Sequence, residues 1–193
     1  MPHPDRTFQR AVFLDKDGTL IKDVPYNVNP DLVVFEDGVF DGLRRLTDEG
    51  YKLIIVSNQS GIAIGYFSEP DLAPLIRHVE GKFTENGLLL SGFYYCPHLA
   101  ETGKNACLCH KPNPGLLIKA AGEHHINLHE SWMIGDILND IEAGNRAGCR
   151  TVLIDNGNET EWLTGAFRQP DYVSGHFYDA ANYIVSQNVL NYA

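Results

Sequence analysis

The sequence predicts an α/β fold: a doubly wound, mostly parallel sheet with helices on both faces. Two observations predict it. Short apolar runs that read as buried strands alternate with segments of helical periodicity. Such alternation implies parallel strands covered on both sides. The polar residues with chemical potential fall just past the ends of the apolar runs, and right-handed crossovers bring those ends to one edge, where open α/β sheets bind ligands.

The first strand is Ala11-Val12-Phe13-Leu14, and it runs into Asp15-Lys16-Asp17-Gly18-Thr19, where Gly18 lets the backbone turn. A helix is predicted over 37–49, with Val39, Leu43 and Leu46 on one side and Gly50 as its stop. Lys52–Val56 reads as the second strand, followed by the polar loop Ser57-Asn58-Gln59-Ser60-Gly61. Leu72, Leu75, Ile76 and Val79 repeat at helical spacing within a helix over 69–86. The third strand is Gly92–Cys96; after a Cys-rich loop come a helix over 114–123, a strand at 132–134, an acidic loop, a helix over 141–147 and a strand at 151–154. An edge strand at 171–173 and a helix over 178–189 complete one domain spanning 1–193, without internal repeats.

Composition narrows the function classes. With 193 residues, 44% of them hydrophobic, the chain can bury a sizeable core. The net charge of -10, with no block of Lys or Arg, argues against nucleic acid. No apolar run approaches a membrane span and the first residues carry no signal-peptide core, so the expected setting is the cytoplasm.

Four loops carry the candidate chemistry. Asp15 and Asp17 are two carboxylates, one residue apart, that can enter one pocket with different roles; a solvated turn is the bland alternative. Ser57 can donate to a phosphate oxygen, and the amides of 58–61 can form an anion nest. Lys111, fixed locally by Pro112, is a phosphate counter-charge or one more surface lysine. Asp136 and Asp140 follow the fourth strand; Asp140 could simply open a helix, but three carboxylates at strand ends repel unless a cation or proton joins them. Separately, Cys96, His98, Cys107 and Cys109 form a donor set suited to tetrahedral zinc. Their C-x-H and C-x-C spacings alone leave free thiols equally open, while a Cys107–Cys109 disulfide would be strained.

These loops, in this order, resemble the four motifs of the haloacid dehalogenase (HAD) superfamily of phosphatases. More narrowly, Ser57–Ala63, Gly65-Tyr66-Phe67, Tyr94–His98, Cys107-Leu108-Cys109 and Lys111-Pro112 resemble the heptose bisphosphate phosphatases and the related histidinol-phosphatases, over roughly 11–161. The resemblance implies Asp15 as nucleophile and Asp17 as general acid and then base. It implies Mg²⁺ held by Asp15, Asp136 and the backbone carbonyl of Asp17, phosphoryl oxygens gripped by Ser57 and Lys111, and Asp140 orienting its loop. It also implies a structural Zn²⁺ on Cys96, His98, Cys107 and Cys109, pinning the 96–109 loop ahead of Lys111. Asp23, Tyr26, Asn58, Gln59, Ser60 and His110 are the expected further substrate contacts.

No insertion is large enough for a mobile cap, so small loops would set specificity. Two positions depart from the family pattern: His110 and Ile64 stand where the relatives usually carry Arg, which weakens the expected hold on a second phosphate. The expected substrate is a small phosphate ester, foremost D-glycero-D-manno-heptose 1,7-bisphosphate losing its 7-phosphate, with histidinol phosphate or another sugar phosphate as alternatives. The expected assembly is a monomer or small homo-oligomer. A phospho-accepting receiver or a binding module are the non-enzymatic rivals, and Asp17 argues against the receiver because an acid/base so near the acyl phosphate would turn it over.

Overall fold

The computed structural model describes residues 8–100 and 107–190. Its centre is a six-stranded sheet in the order β3-β2-β1-β4-β5-β6, every neighbouring pair parallel. The strands are β1 (Arg10–Leu14), β2 (Tyr51–Asn58), β3 (Leu90–Cys96), β4 (Trp132–Gly135), β5 (Arg150–Ile154) and β6 (Tyr172–Ser174). The helices are α1 (Val39–Asp48), α2 (Gly61–Ile64), α3 (Glu69–Glu85), α4 (Gly115–His124), α5 (Leu138–Ala147) and α6 (Phe177–Leu190).

Alternation along each strand feeds two cores. Val12, Leu14, Leu53, Ile55, Trp132 and Ile134 face a cluster with Leu43 and Leu46 of α1, Leu72 and Leu75 of α3, and Ile184 of α6. Ala11, Phe13, Ile54, Val56 and Met133 face the other way, onto Leu117 and Ala120 of α4. Each fully buried Leu or Ile contributes about 1.5–3 kcal/mol. The central strand β1 has both faces covered, so its carboxyl end has a fixed position.

Several predicted boundaries shift by one to three residues, and two of the shifts bear on the site. β2 continues through Asn58, so Ser57 and Asn58 stand on the strand rather than in the loop. α5 starts at Leu138, three residues before the apolar periodicity begins, because Asp140 accepts from the Ile137 N–H at 3.3 Å and Glu159 accepts from the Leu138 N–H at 2.7 Å. The short α2 was not legible as a helix. It fits because Gly61 presents no side chain: a Cβ there would lie 2.2 Å from the Phe67 ring. Among the described residues no helix is long and apolar enough to cross a membrane.

Candidate active site

Asp15 is held where β1 ends, its N–H donating to the Ile134 carbonyl of β4 at 2.9 Å. The chain then turns at Gly18 with φ +81°, and a Cβ there would fall 2.1 Å from Asp136 Oδ2. Only glycine lets the β1 and β4 loops come this close. Leu20 and Ile21 close the turn through hydrogen bonds from their N–H groups to the Lys16 carbonyl.

Lys111 is buried at the centre of the site. Its Nζ pairs with Asp15, lies 2.6 Å from Asp140 Oδ1 as an ion pair outside well-directed hydrogen-bond geometry, and donates to the Val56 carbonyl at 3.0 Å. Burial disfavours its charge, but Asp140 and Asp15 outweigh that and raise its pKa. Asn58 clasps the Lys111 backbone, donating to its carbonyl at 3.1 Å and accepting from its N–H at 3.0 Å. Thus the end of β2 fixes a lysine that arrives from a distant loop.

Asp136 lacks such a partner. It receives only neutral donors, Thr19 Oγ1 at 3.1 Å and Asn158 Nδ2 at 2.7 Å. Burial, then the charges of Asp15 and Asp140, push it up to about 8. Asp140 is pushed up to about 6 by burial, with Lys111 opposing. Carboxylate oxygens of Asp15, Asp136 and Asp140 all lie within 4.8 Å of one another. Three buried carboxylates against one ammonium leave a negative excess that a hard divalent cation fits, and oxygen donors are the ligands magnesium takes.

The Asp17 side chain stands apart from that cluster. Its Oδ1 lies 2.8 Å from Lys16 Nζ and its Oδ2 accepts from Gln59 Nε2 at 3.4 Å. Burial raises its pKa, and Lys16 partly offsets this. Gln59 also donates to Ser57 Oγ at 2.8 Å, linking the two residues. A cavity of about 290 Å³ is lined by Asp15, Asp17, Ser57, Lys111, Asp136 and Asn158 among others. It shares Asp17, Asp23 and Asn58 with a second of about 310 Å³, lined also by Tyr26, Gln59 and Ser60. Exposed Tyr26 meets Tyr66 edge to face, ring centroids 4.8 Å apart. His110 spends both ring nitrogens inside the protein, Nδ1 at 2.8 Å from the Lys111 carbonyl and Nε2 at 3.1 Å from Ser60 Oγ.

The second donor set lies beside this site. Sγ of Cys96, Cys107 and Cys109 and Nδ1 of His98 are separated by six distances, all between 2.8 and 3.5 Å. Four mutually close donors, three sulfurs and one imidazole nitrogen, match the ligand number and softness of zinc. The 101–106 part of the 96–109 loop lies outside the described residues. Ser60 Oγ donates to the His98 carbonyl at 3.2 Å, joining the loop to the second cavity.

Three residues at the site were not singled out from sequence: Lys16, Thr19 and Asn158. Lys16 and Thr19 sit inside the first motif but read as its spacers. Asn158 belongs to the polar run Asp155-Asn156-Gly157-Asn158 directly after β5, the same strand-end position that marked the others.

Residues 108–180 match the HAD-hydrolase-like family model. The sequence is also 42% identical over 154 residues to the D-glycero-beta-D-manno-heptose-1,7-bisphosphate 7-phosphatase of Pasteurella multocida, covering 77% of this chain and 83% of that one. The chain belongs to this family of HAD-like phosphatases. The 7-phosphatase of Salmonella typhi is 41% identical over 166 residues, covering 79% and 88%. Among solved structures, the D,D-heptose 1,7-bisphosphate phosphatase of B. bronchiseptica, complexed with magnesium and phosphate, superposes with a TM-score of 0.79 at 26% identity, covering 92% of this chain and 99% of that one. The HAD-like family thus accounts for both the parallel sheet and the clustering of polar residues at its carboxyl edge.

Proposed function

We propose that this phosphatase removes the 7-phosphate of heptose 1,7-bisphosphate through a covalent phosphate on Asp15, as a cytoplasmic monomer or small homo-oligomer. The observation that carries the mechanism is the convergence of Asp15, Asp136 and Asp140 within 4.8 Å around a single ammonium, with Asp17 at the same cavity. The substrate follows from the names of the relatives. Asp15 attacks phosphorus in line while the ester oxygen leaves. Asp17, biased towards its acid form by burial, gives that oxygen its proton; Lys16, 2.8 Å away, steadies the carboxylate left behind. The same carboxylate then takes a proton from the water that splits the aspartyl phosphate. Ser57 and Lys111 hold the phosphoryl oxygens, and removal of one such donor raises barriers by about 3–4 kcal/mol.

Asp15 and Asp136, with the backbone carbonyl of Asp17, would hold magnesium. When bound it supplies the positive charge that offsets repulsion between a carboxylate and an anionic ester. Cys96, His98, Cys107 and Cys109 would hold zinc and keep the approach to Lys111 in place. Asp23, Tyr26, Asn58, Gln59 and Ser60, which line the second cavity, would surround the part of the substrate that leaves, with His110 holding Ser60 from behind.

One observation favours a second reading, a different sugar phosphate or histidinol phosphate: His110 has no ring nitrogen left for a second phosphate. A panel of both anomers of heptose 1,7-bisphosphate, histidinol phosphate and simple sugar phosphates, with Mg²⁺, tests this. The expected result is the highest kcat/KM for a heptose bisphosphate. Hydrolysis of none of them contradicts the proposal, and a higher kcat/KM for histidinol phosphate selects the second reading.

A further inference from the structure

The loop after β5 is tied to the active edge at three points. Asn156 Nδ2 donates to the Gly18 carbonyl, Asn158 Nδ2 donates to Asp136 Oδ2, and Glu159 Oε2 accepts from the Leu138 N–H, each at 2.7 Å. These bonds reach the turn after β1, the end of β4 and the first turn of α5. The loop is also braced internally: the Asn158 N–H donates to Asn156 Oδ1 at 3.2 Å, and Glu159 Oε1 accepts from the N–H groups of Glu161 and Trp162 at 2.9 and 3.2 Å. Asn158 therefore presents its amide from a fixed backbone.

Asp136 is the carboxylate that needs such help. Lys111 pairs with Asp15 and Asp140 but not with Asp136. Its two oxygens are held one each, Oδ1 by Thr19 and Oδ2 by Asn158, so the group cannot turn about its Cβ–Cγ bond without losing both bonds. A carboxylate has about four acceptor positions, which leaves lone pairs free on the side facing Asp15. The amide is suited to this task. A lysine in its place would neutralise Asp136 and compete with a cation, and an aspartate would add repulsion.

We infer that Asn158 is a positioning residue that presets Asp136 to receive the divalent cation. The inference rests on the magnesium reading of the carboxylate cluster. Groups that orient a metal ligand from behind typically change metal affinity 10–100-fold when lost.

The test is calorimetric titration of the whole protein with Mg²⁺ alone, without substrate, alongside the Mg²⁺ dependence of phosphatase turnover. Asn158→Ala is expected to weaken Mg²⁺ binding about 10-fold or more and to raise the half-activating concentration equally, with kcat recovering to within about twofold at saturating Mg²⁺. Asn158→Lys should weaken Mg²⁺ binding while raising the melting temperature of the metal-free protein, a pairing of effects that loss of a structural contact would not give. If wild type binds Mg²⁺ and Asn158→Ala binds it equally well, or loses kcat that Mg²⁺ does not restore, the inference fails. If wild type binds no Mg²⁺, it is the reading of the cluster itself that fails.

Discussion

The carboxylate cluster at the ends of β1 and β4 and the Cys–His cluster after β3 meet the same difficulty, lone-pair donors crowded together, in opposite ways. The carboxylates come from two places far apart in sequence, 15 and 136–140, and are positioned by the covered strands β1 and β4 and the first turn of α5. An internal ammonium compensates part of their charge, and a cavity of about 290 Å³ opens beside them. The thiols and imidazole come from one stretch, 96–109, and close to 2.8–3.5 Å on every side. An internal counter-charge and a neighbouring cavity, rather than donor count, distinguish the carboxylate cluster, proposed as the reactive centre, from the Cys–His cluster, proposed as structural.

Removing the oxygen proposed to attack should break the open centre most severely. Asp15→Asn is expected to lower kcat by about 10⁴-fold or more, measured by phosphate release, with the fold retained. Lys111→Met comes next, because it removes a phosphate grip and strands two buried carboxylates. Its kcat should fall about 10²–10³-fold and its stability by about 3–5 kcal/mol, read from activity and denaturant unfolding. A variant as stable as wild type would mean that the ammonium does not compensate the cluster.

The closed centre should respond in the other order, stability first. Cys107→Ser is expected to lose its equivalent of zinc by elemental analysis and to lower Tm by about 5 °C or more, with kcat falling only severalfold. Unchanged metal content would remove the distinction between the centres.

The smallest effect sharpens the electrostatic side. In metal-free protein, burial and its acidic neighbours hold Asp136 at about 8, above its ordinary 3.8. A raised carboxyl contributes stability that is fully present below its unfolded pKa and lost as pH rises through the folded one. With a chelator present, Tm should therefore be higher at pH 5 than at pH 9. Added Mg²⁺ should raise Tm more at pH 9, where the cluster is ionised. Thermal melts at the two pH values check this, and an equal Mg²⁺ effect at both contradicts it.

The fold was largely legible because β1, β2, β4 and β5 are covered on both faces and so read as continuous apolar runs. The α5 boundary was not, since its start depends on Glu159, a residue 21 positions away that accepts from the Leu138 N–H. The same limit applies at the site. Asp15, Ser57 and Asp136 announce themselves by position at strand ends and Lys111 by its place before Pro112, and the structure brings all four to one cavity. Nothing in local sequence reveals that Lys16 turns inward to meet Asp17, or that Lys111 is buried between two carboxylates rather than exposed. Both facts depend on which loops the sheet order places side by side.

The most direct test of the central claim, that Asp15 is the attacking group in a cation-dependent site, uses Asp17→Asn with an aryl phosphate. Such an ester needs no acid to expel its leaving group, but the variant lacks the base for the second step. After rapid quenching, peptide mass analysis should find phosphate on Asp15 when Mg²⁺ is present and none when it is chelated. Phosphate on another residue, or an unmodified Asp15 peptide while the aryl alcohol is being released, would contradict the account.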